Sequence, residues 1–179
     1  MNDLLLIKPT RFSDHRGFFS ETYSYQRYSE LGIKCQFLQD NHSLSHAIGT
    51  LRGLHFQSPP MAQAKLVRCG RGAIFDVAVD IRRGSASYGQ WKGYTLTAEN
   101  GYQLYIPIGF AHGFLTLETD SEIVYKCTNY YAVETEGVIH WNSCGIDWPL
   151  LSDPILNNRD ATAPSLTEFV SPFLYGANF

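Results

Sequence analysis

The chain has only four cysteines, Cys35, Cys69, Cys127 and Cys144, and no two of them form a C-x-x-C pair. Neither a thiolate zinc site nor a dithiol redox motif is suggested, and the four read as small core residues of a reduced protein. Long apolar runs are missing as well. None exceeds Leu4–Ile7, far short of a membrane span, and the opening Met-Asn-Asp lacks the basic region and long apolar stretch of a secretory signal. Charge is sparse: 17% of the 179 residues, with 14 basic against 17 acidic and a formal net charge of −3. A chain that gripped phosphate backbones would be basic, so no nucleic acid and no membrane is expected as a partner. A soluble, cytoplasmic protein is the expectation.

Aromatic residues are plentiful, with 11 Tyr, 11 Phe and 3 Trp. Such rings favour pleated, half-buried surfaces, so the composition leans towards β-structure. The chain order agrees. In Ala73–Asp80, residues Ala73, Phe75, Val77 and Val79 fall on one face and Asp76 and Asp80 on the other. Further strands are expected at 4–8, 36–41, 50–56, 65–69, 91–96, 103–106, 113–118 and 122–127. Turn signals separate them, among them Ser58-Pro59-Pro60, Gly70-Arg71-Gly72 and Pro107-Ile108-Gly109. About nine strands at such spacing argue for an antiparallel sandwich or barrel rather than βαβ units. Helix is scarce: the best candidate is Tyr23–Leu31, closed by Gly32, and Pro149, Pro154 and Pro164 break up the tail. No repeat, linker or low-complexity tract divides the chain, so residues 1–179 read as one all-β domain.

Four stretches carry chemistry. Phe12–Glu21 packs Asp14, Arg16 and Glu21 among rings around Gly17. In Phe37–Ser43, a strand would set Gln39, Asn41 and Ser43 in one row, a neutral hydrogen-bonding wall if it faces inward. The third is Thr50–Gln57, followed by Lys65. Strict alternation puts Arg52 and His55 on opposite faces, so they share one only if Gly53 lies at a bulge. The fourth is Ile106–Phe114 with His112, followed by Tyr125.

Pro107-x-Gly109-x-x-His112 resembles the second motif of metal-binding cupins, but their first motif needs H-x-H. None occurs among the six histidines, and His55-Phe56-Gln57 stands in its place. Two candidate ligands do not make a metal site, so no metal is expected. There is no G-x-S-x-G elbow and no glycine-rich phosphate loop. An acid–base inventory remains, with no cofactor called for.

Taken together these stretches resemble the dTDP-4-dehydrorhamnose 3,5-epimerase family. The matching segments are F-x-D-x-R-G-x-F-x-E at 12–21, Q-D-N-H-S at 39–43, L-R-G-L-H-F-Q at 51–57, A-K-L-V at 64–67, I-P-x-G-F-A-H-G-F at 106–114, Y-K-C-T-N-Y-Y at 125–131, I-D-W-P at 146–149 and Arg159-Asp160. The resemblance implies a metal-free, cupin-type antiparallel jelly roll with a few short helices, working as a homodimer with exchanged N-terminal strands. It also implies that dTDP-4-dehydro-6-deoxy-D-glucose is inverted at carbons 3 and 5 to give dTDP-4-dehydro-L-rhamnose. By residue, His55 matches the family's general base, Asp160 the carboxylate that orients it, Lys65 the enolate-stabilising group and Tyr125 the opposing acid. Arg16, Glu21, Gln39, Asn41, Arg52, His112, Tyr131 and Glu136 match substrate-contacting positions. Arg159 joins them where the family often has lysine, keeping the charge.

The inventory suits that chemistry. Both carbons flank a ketone, so one base can deprotonate each in turn through an enolate. A histidine titrates near working pH, and a lysine can face the developing oxyanion. A single-carbon epimerase acting on a related nucleotide-linked 4-keto sugar remains the alternative, and a non-catalytic sugar-binding cupin is the rival outside enzymes.

Overall fold

The computed structural model describes residue 1 and residues 3–177. Two five-stranded antiparallel sheets face each other. The first has the order β1 (Leu5–Ile7), β9 (Gln103–Ile106), β6 (Lys65–Arg71), β11 (Ser121–Cys127) and β4 (Gln39–Ser45). The second has the order β12 (Glu136–Val138), β5 (Leu51–Gln57), β10 (Phe110–Thr116), β7 (Ala73–Asp80) and β8 (Trp91–Thr97). A small hairpin, β2 (Phe12–Asp14) with β3 (Gly17–Phe19), stands apart. The only α-helices among the described residues are α1 (Tyr25–Glu30) and α2 (Asn158–Ala161). Gly32 follows α1 at φ +94° and returns its N–H to the Ser29 carbonyl, as a glycine C-cap does. This all-β jelly roll with few short helices is the class expected from the sequence.

Side-chain alternation divides the interior into two ends. Leu104, Ile106, Ile123, Leu96, Ile74 and Phe110 fill one end with apolar contacts between the sheets. At the other end the inward row along β4 is Gln39, Asn41 and Ser43, and the first sheet adds Lys65 and Tyr125. A second apolar cluster lies outside the second sheet, where Leu51, Leu54, Val77, Val79 and Leu115 pack under the C-terminal residues Ile146, Trp148 and Phe173. Strand β7 is therefore covered on both faces. Its acid-bearing face, which alternation alone would turn to solvent, points into the interior with Asp76 fully buried.

Gly53 sets the functional face of β5. Arg52 pairs with Phe114 and His55 with His112, so β5 carries one residue more than β10 between these two pairs. This is a β-bulge, and it turns Arg52, His55 and Gln57 to one side while Leu51, Leu54 and Phe56 pack outward. Gly53 has φ +129°, and a Cβ there would lie 2.6 Å from the Cα of Gly113 and 2.8 Å from the His112 carbonyl oxygen. Both neighbours are backbone and cannot swing away. Gly53→Ala is expected to lower stability by about 2 kcal/mol or more, measured by denaturant titration; an unchanged midpoint would contradict this account of the bulge.

Candidate active site

A polar cleft opens between the sheets, lined by Gln39, Asn41, His55, Lys65, Tyr125, Tyr131 and Glu136, with Phe56, Gln57 and Gln63. His55 comes from the second sheet, while Lys65 and Tyr125 come from the first, so they occupy opposite walls.

His55 Nε2 lies 2.7 Å from Asp160 Oδ1. Asp160 is 0% exposed and sits in α2, whose N-cap Asn157 accepts the Asp160 N–H at 2.7 Å. Its other oxygen accepts the Gly53 N–H at 3.1 Å, so one carboxylate ties both the imidazole and the bulge to the C-terminal segment. Burial alone would raise the Asp160 pKa, but the hydrogen bond from His55 and the Gly53 N–H together hold it below the ordinary carboxylate value. An ionised carboxylate only accepts. Nε2 therefore carries the proton it donates to Asp160, which leaves the Nδ1 lone pair as the ring's free base.

On the facing wall Lys65 is pushed below its ordinary value by burial, against the pull of Cys127, Asp76 and Glu136. Its Nζ lies 6.0 Å from the centroid of the Tyr125 ring. No hydrogen bond or ion pair from a described residue reaches that ammonium. Burial raises the Tyr125 phenol, with Cys127 adding to the effect and Arg52 opposing it, so the hydroxyl stays protonated and able to donate.

Around the mouth, Gln39 donates to Asn41 Oδ1 at 2.9 Å and accepts the Tyr131 N–H at 2.9 Å. Glu136 Oε2 accepts from the Tyr131 hydroxyl at 3.0 Å and also from Arg159. Arg52 reaches back to Ser45 Oγ and the Leu44 carbonyl. Arg52, His112 and Arg159 are not themselves in the lining, and two further expected residues lie away from it with partners of their own. Arg16 pairs with Asp14 at the tip of the β2–β3 hairpin, and Glu21 pairs with Arg27, both away from the cleft lining. No group of three or more His, Cys, Asp or Glu suited to a metal is found among the described residues.

Sequence reasoning named His112 but missed its partner. His112 Nε2 lies 2.7 Å from Asp76 Oδ1, both side chains are buried, and Asp76 Oδ2 is buried without a hydrogen-bond partner. An acidic residue alternating with Ile74 and Ala78 on a strand buried on both faces was the available signal. Gln57 and Gln63, which tether the 129–132 segment, were also unassigned.

Comparison with known proteins decides among the chemistries this cleft permits. The profile of the dTDP-4-dehydrorhamnose 3,5-epimerase family matches residues 1–168. The chain belongs to that family. It is 53% identical over 169 residues to the dTDP-4-dehydrorhamnose 3,5-epimerase of Salmonella typhimurium, covering 93% of this chain and 92% of that protein. The structure of a 3,5-epimerase from Legionella pneumophila in complex with dTDP-4-keto-L-rhamnose superposes with a TM-score of 0.94 at 46% identity, over 99% of this chain and 96% of that one. A 3'-monoepimerase from Streptomyces bikiniensis, in complex with dTDP-quinovose, is more distant at 34% identity and TM-score 0.87, over 92% of this chain and 84% of that one. The chain is an isomerase of the epimerase type.

One pH dependence follows from the buried pair. Burial holds His112 below its ordinary value despite the opposing pull of Asp76, and the charges of Lys65 and His55 add to the lowering. The folded chain then binds fewer protons here than the unfolded one. The associated stability is complete above the unfolded imidazole value of about 6.5 and is lost as pH falls through the folded value. His112→Gln is expected to flatten the fall in melting temperature below about pH 6.5, followed by thermal denaturation across pH; an equal slope in the two proteins would contradict this.

Proposed function

We propose that this epimerase inverts carbons 3 and 5 of dTDP-4-dehydro-6-deoxy-D-glucose, giving dTDP-4-dehydro-L-rhamnose for rhamnose biosynthesis. The observation that carries the reading is the pairing of two walls: His55 oriented by Asp160 on one sheet, Lys65 and Tyr125 on the other.

His55 Nδ1 takes the proton from the carbon beside the ketone, and the C–H electron pair moves into an enolate with its charge on the carbonyl oxygen. The imidazolium that forms shares its Nε2 proton with Asp160, which stabilises it. Lys65 faces the oxyanion. Its half-buried ammonium has no hydrogen-bonded protein partner, so its strongest pairing arises as the enolate forms, and that interaction favours the transition state over the ground state. Tyr125 donates its proton from the opposite wall, which inverts the carbon. Exchange with solvent in the open cleft then takes the proton from His55 and returns one to the Tyr125 phenolate, after which the same groups act at the second carbon flanking the ketone. Electrons return to where they began, so no cofactor takes part.

Gln39, Asn41, Arg52, His112, Glu136 and Arg159 are assigned to substrate contacts, with the exposed Tyr131 ring offering a flat face suited to a planar base. Arg16 and Glu21 reach a cleft only if the hairpin serves a neighbouring subunit. Phe18 and Phe19 on that hairpin are 58% and 69% exposed, an apolar surface that exchange of N-terminal strands in a homodimer would cover. A dimer by sedimentation supports that assembly, and a stable monomer with full activity would rule it out. We place the reaction in the cytoplasm; no helix among the described residues is long and apolar enough to cross a membrane.

The proposal is tested by NMR of the product from dTDP-4-dehydro-6-deoxy-D-glucose. Inversion at both carbons is expected; inversion at one alone would favour the single-carbon alternative. Asp160→Asn places an amide N–H against Nε2 and drives the ring proton to Nδ1. The kcat is expected to fall by about two to four powers of ten with folding retained, and wild-type kcat in that variant would remove the assignment of Nδ1 as base.

A further inference from the structure

Tyr131 is 56% exposed, yet its position is fixed from three directions. Its hydroxyl donates to Glu136 at 3.0 Å and its N–H to Gln39 at 2.9 Å. The third fixture is Gln57, which neither sheet pairing nor the chemistry above explains. Gln57 Nε2 donates to the Tyr130 carbonyl at 3.1 Å and the Met61 carbonyl at 2.6 Å, while Gln57 Oε1 accepts the Ala132 N–H at 2.9 Å. Both amide hydrogens and the carbonyl oxygen are thus committed, two of the three contacts to the residues immediately before and after Tyr131. The side chain is 4% exposed, so water does not compete for these bonds.

The segment 130–132 belongs to neither helix nor strand. Loop backbone crossing a cleft mouth would sample many conformations, and an aromatic contact held on it would have to be ordered anew on each binding event. Gln57 shares a face of β5 with His55, two residues on, so the strand that carries the base also carries the clamp for this loop.

We infer that Gln57 is a positioning residue: it presents Tyr131 to the nucleotide-linked substrate by pinning the backbone on both sides of it. The inference rests on the reading of Tyr131 as a substrate contact. It separates from a merely structural role because a residue acting through Tyr131 changes KM rather than kcat, and changes nothing once Tyr131 is gone.

The experiment is a double-mutant cycle with Gln57→Met and Tyr131→Ala in the full chain, reading KM and kcat for epimerisation and the melting temperature of each protein. Gln57→Met is expected to raise KM about tenfold with kcat within about twofold, and the double variant is expected to match Tyr131→Ala alone. Multiplying KM effects, or a fall in kcat at constant KM, would overturn the inference while leaving Tyr131 as a contact. Wild-type KM in Tyr131→Ala would overturn the contact itself and the inference with it. Should Gln57→Met fail to fold, Gln57→Glu keeps the acceptor for Ala132 but loses both donors, and the same KM shift is expected of it. An unchanged KM in Gln57→Glu would count against the clamp.

Discussion

The contact on which the site depends is the 2.7 Å hydrogen bond between His55 and Asp160, groups 105 residues apart in sequence. It demands three local structures at once. The bulge at Gly53 turns His55 inward, the Asn157 cap sets the first turn of α2, and the tail must fold back over the second sheet to bury the carboxylate. Asp160 answers all three with two oxygens, since the second accepts the N–H of Gly53 itself. The bulge and the orientation of the His55 ring are consequently one feature. A carboxylate buried without both partners would be costly and would tend to protonate, so the arrangement holds together as a unit.

The jelly roll contributes by keeping its two walls chemically distinct. Each sheet supplies part of the proposed acid–base set, and the apolar half of the interior fixes the spacing between them. The polar half works against stability. Lys65 is held below its ordinary pKa by burial, Asp76 keeps an oxygen with no hydrogen bond, and His112 is held towards its neutral form. Replacing such groups with apolar ones commonly stabilises a fold. Their retention marks the end of the barrel where local rules of folding yield to chemistry.

Much of this was legible in the residues. Alternation located β7 and β9 to the residue, and the β4 row Gln39, Asn41, Ser43 does face inward. The need for a bulge at Gly53 was readable too, because Arg52 and His55 cannot otherwise share a face. Other features were hidden for physical reasons. Strands β2, β3 and β12 are three residues each, too short for any period to register. Asp76 was obscured because an acid-bearing strand face ordinarily means solvent, and only the second sheet's double covering reverses that. The substrate-contact roles of Arg16 and Glu21 came from family resemblance alone; within one chain the two residues sit on and just after a hairpin, with partners of their own. The tethering by Gln57 depends on a loop 73 residues away, a distance over which no local pattern speaks.

The division of labour between His55 and Tyr125 is tested most directly by reaction in deuterated water. Tyr125→Phe keeps the base but removes the opposing hydroxyl, so the enolate still forms and His55 can return a solvent-derived deuteron to the original face. The account predicts label uptake with retained configuration in Tyr125→Phe while epimer accumulates slowly, and loss of both uptake and epimer in His55→Ala, by about two to four powers of ten. Equal loss of uptake in the two variants, or full-rate inversion in Tyr125→Phe, would contradict it.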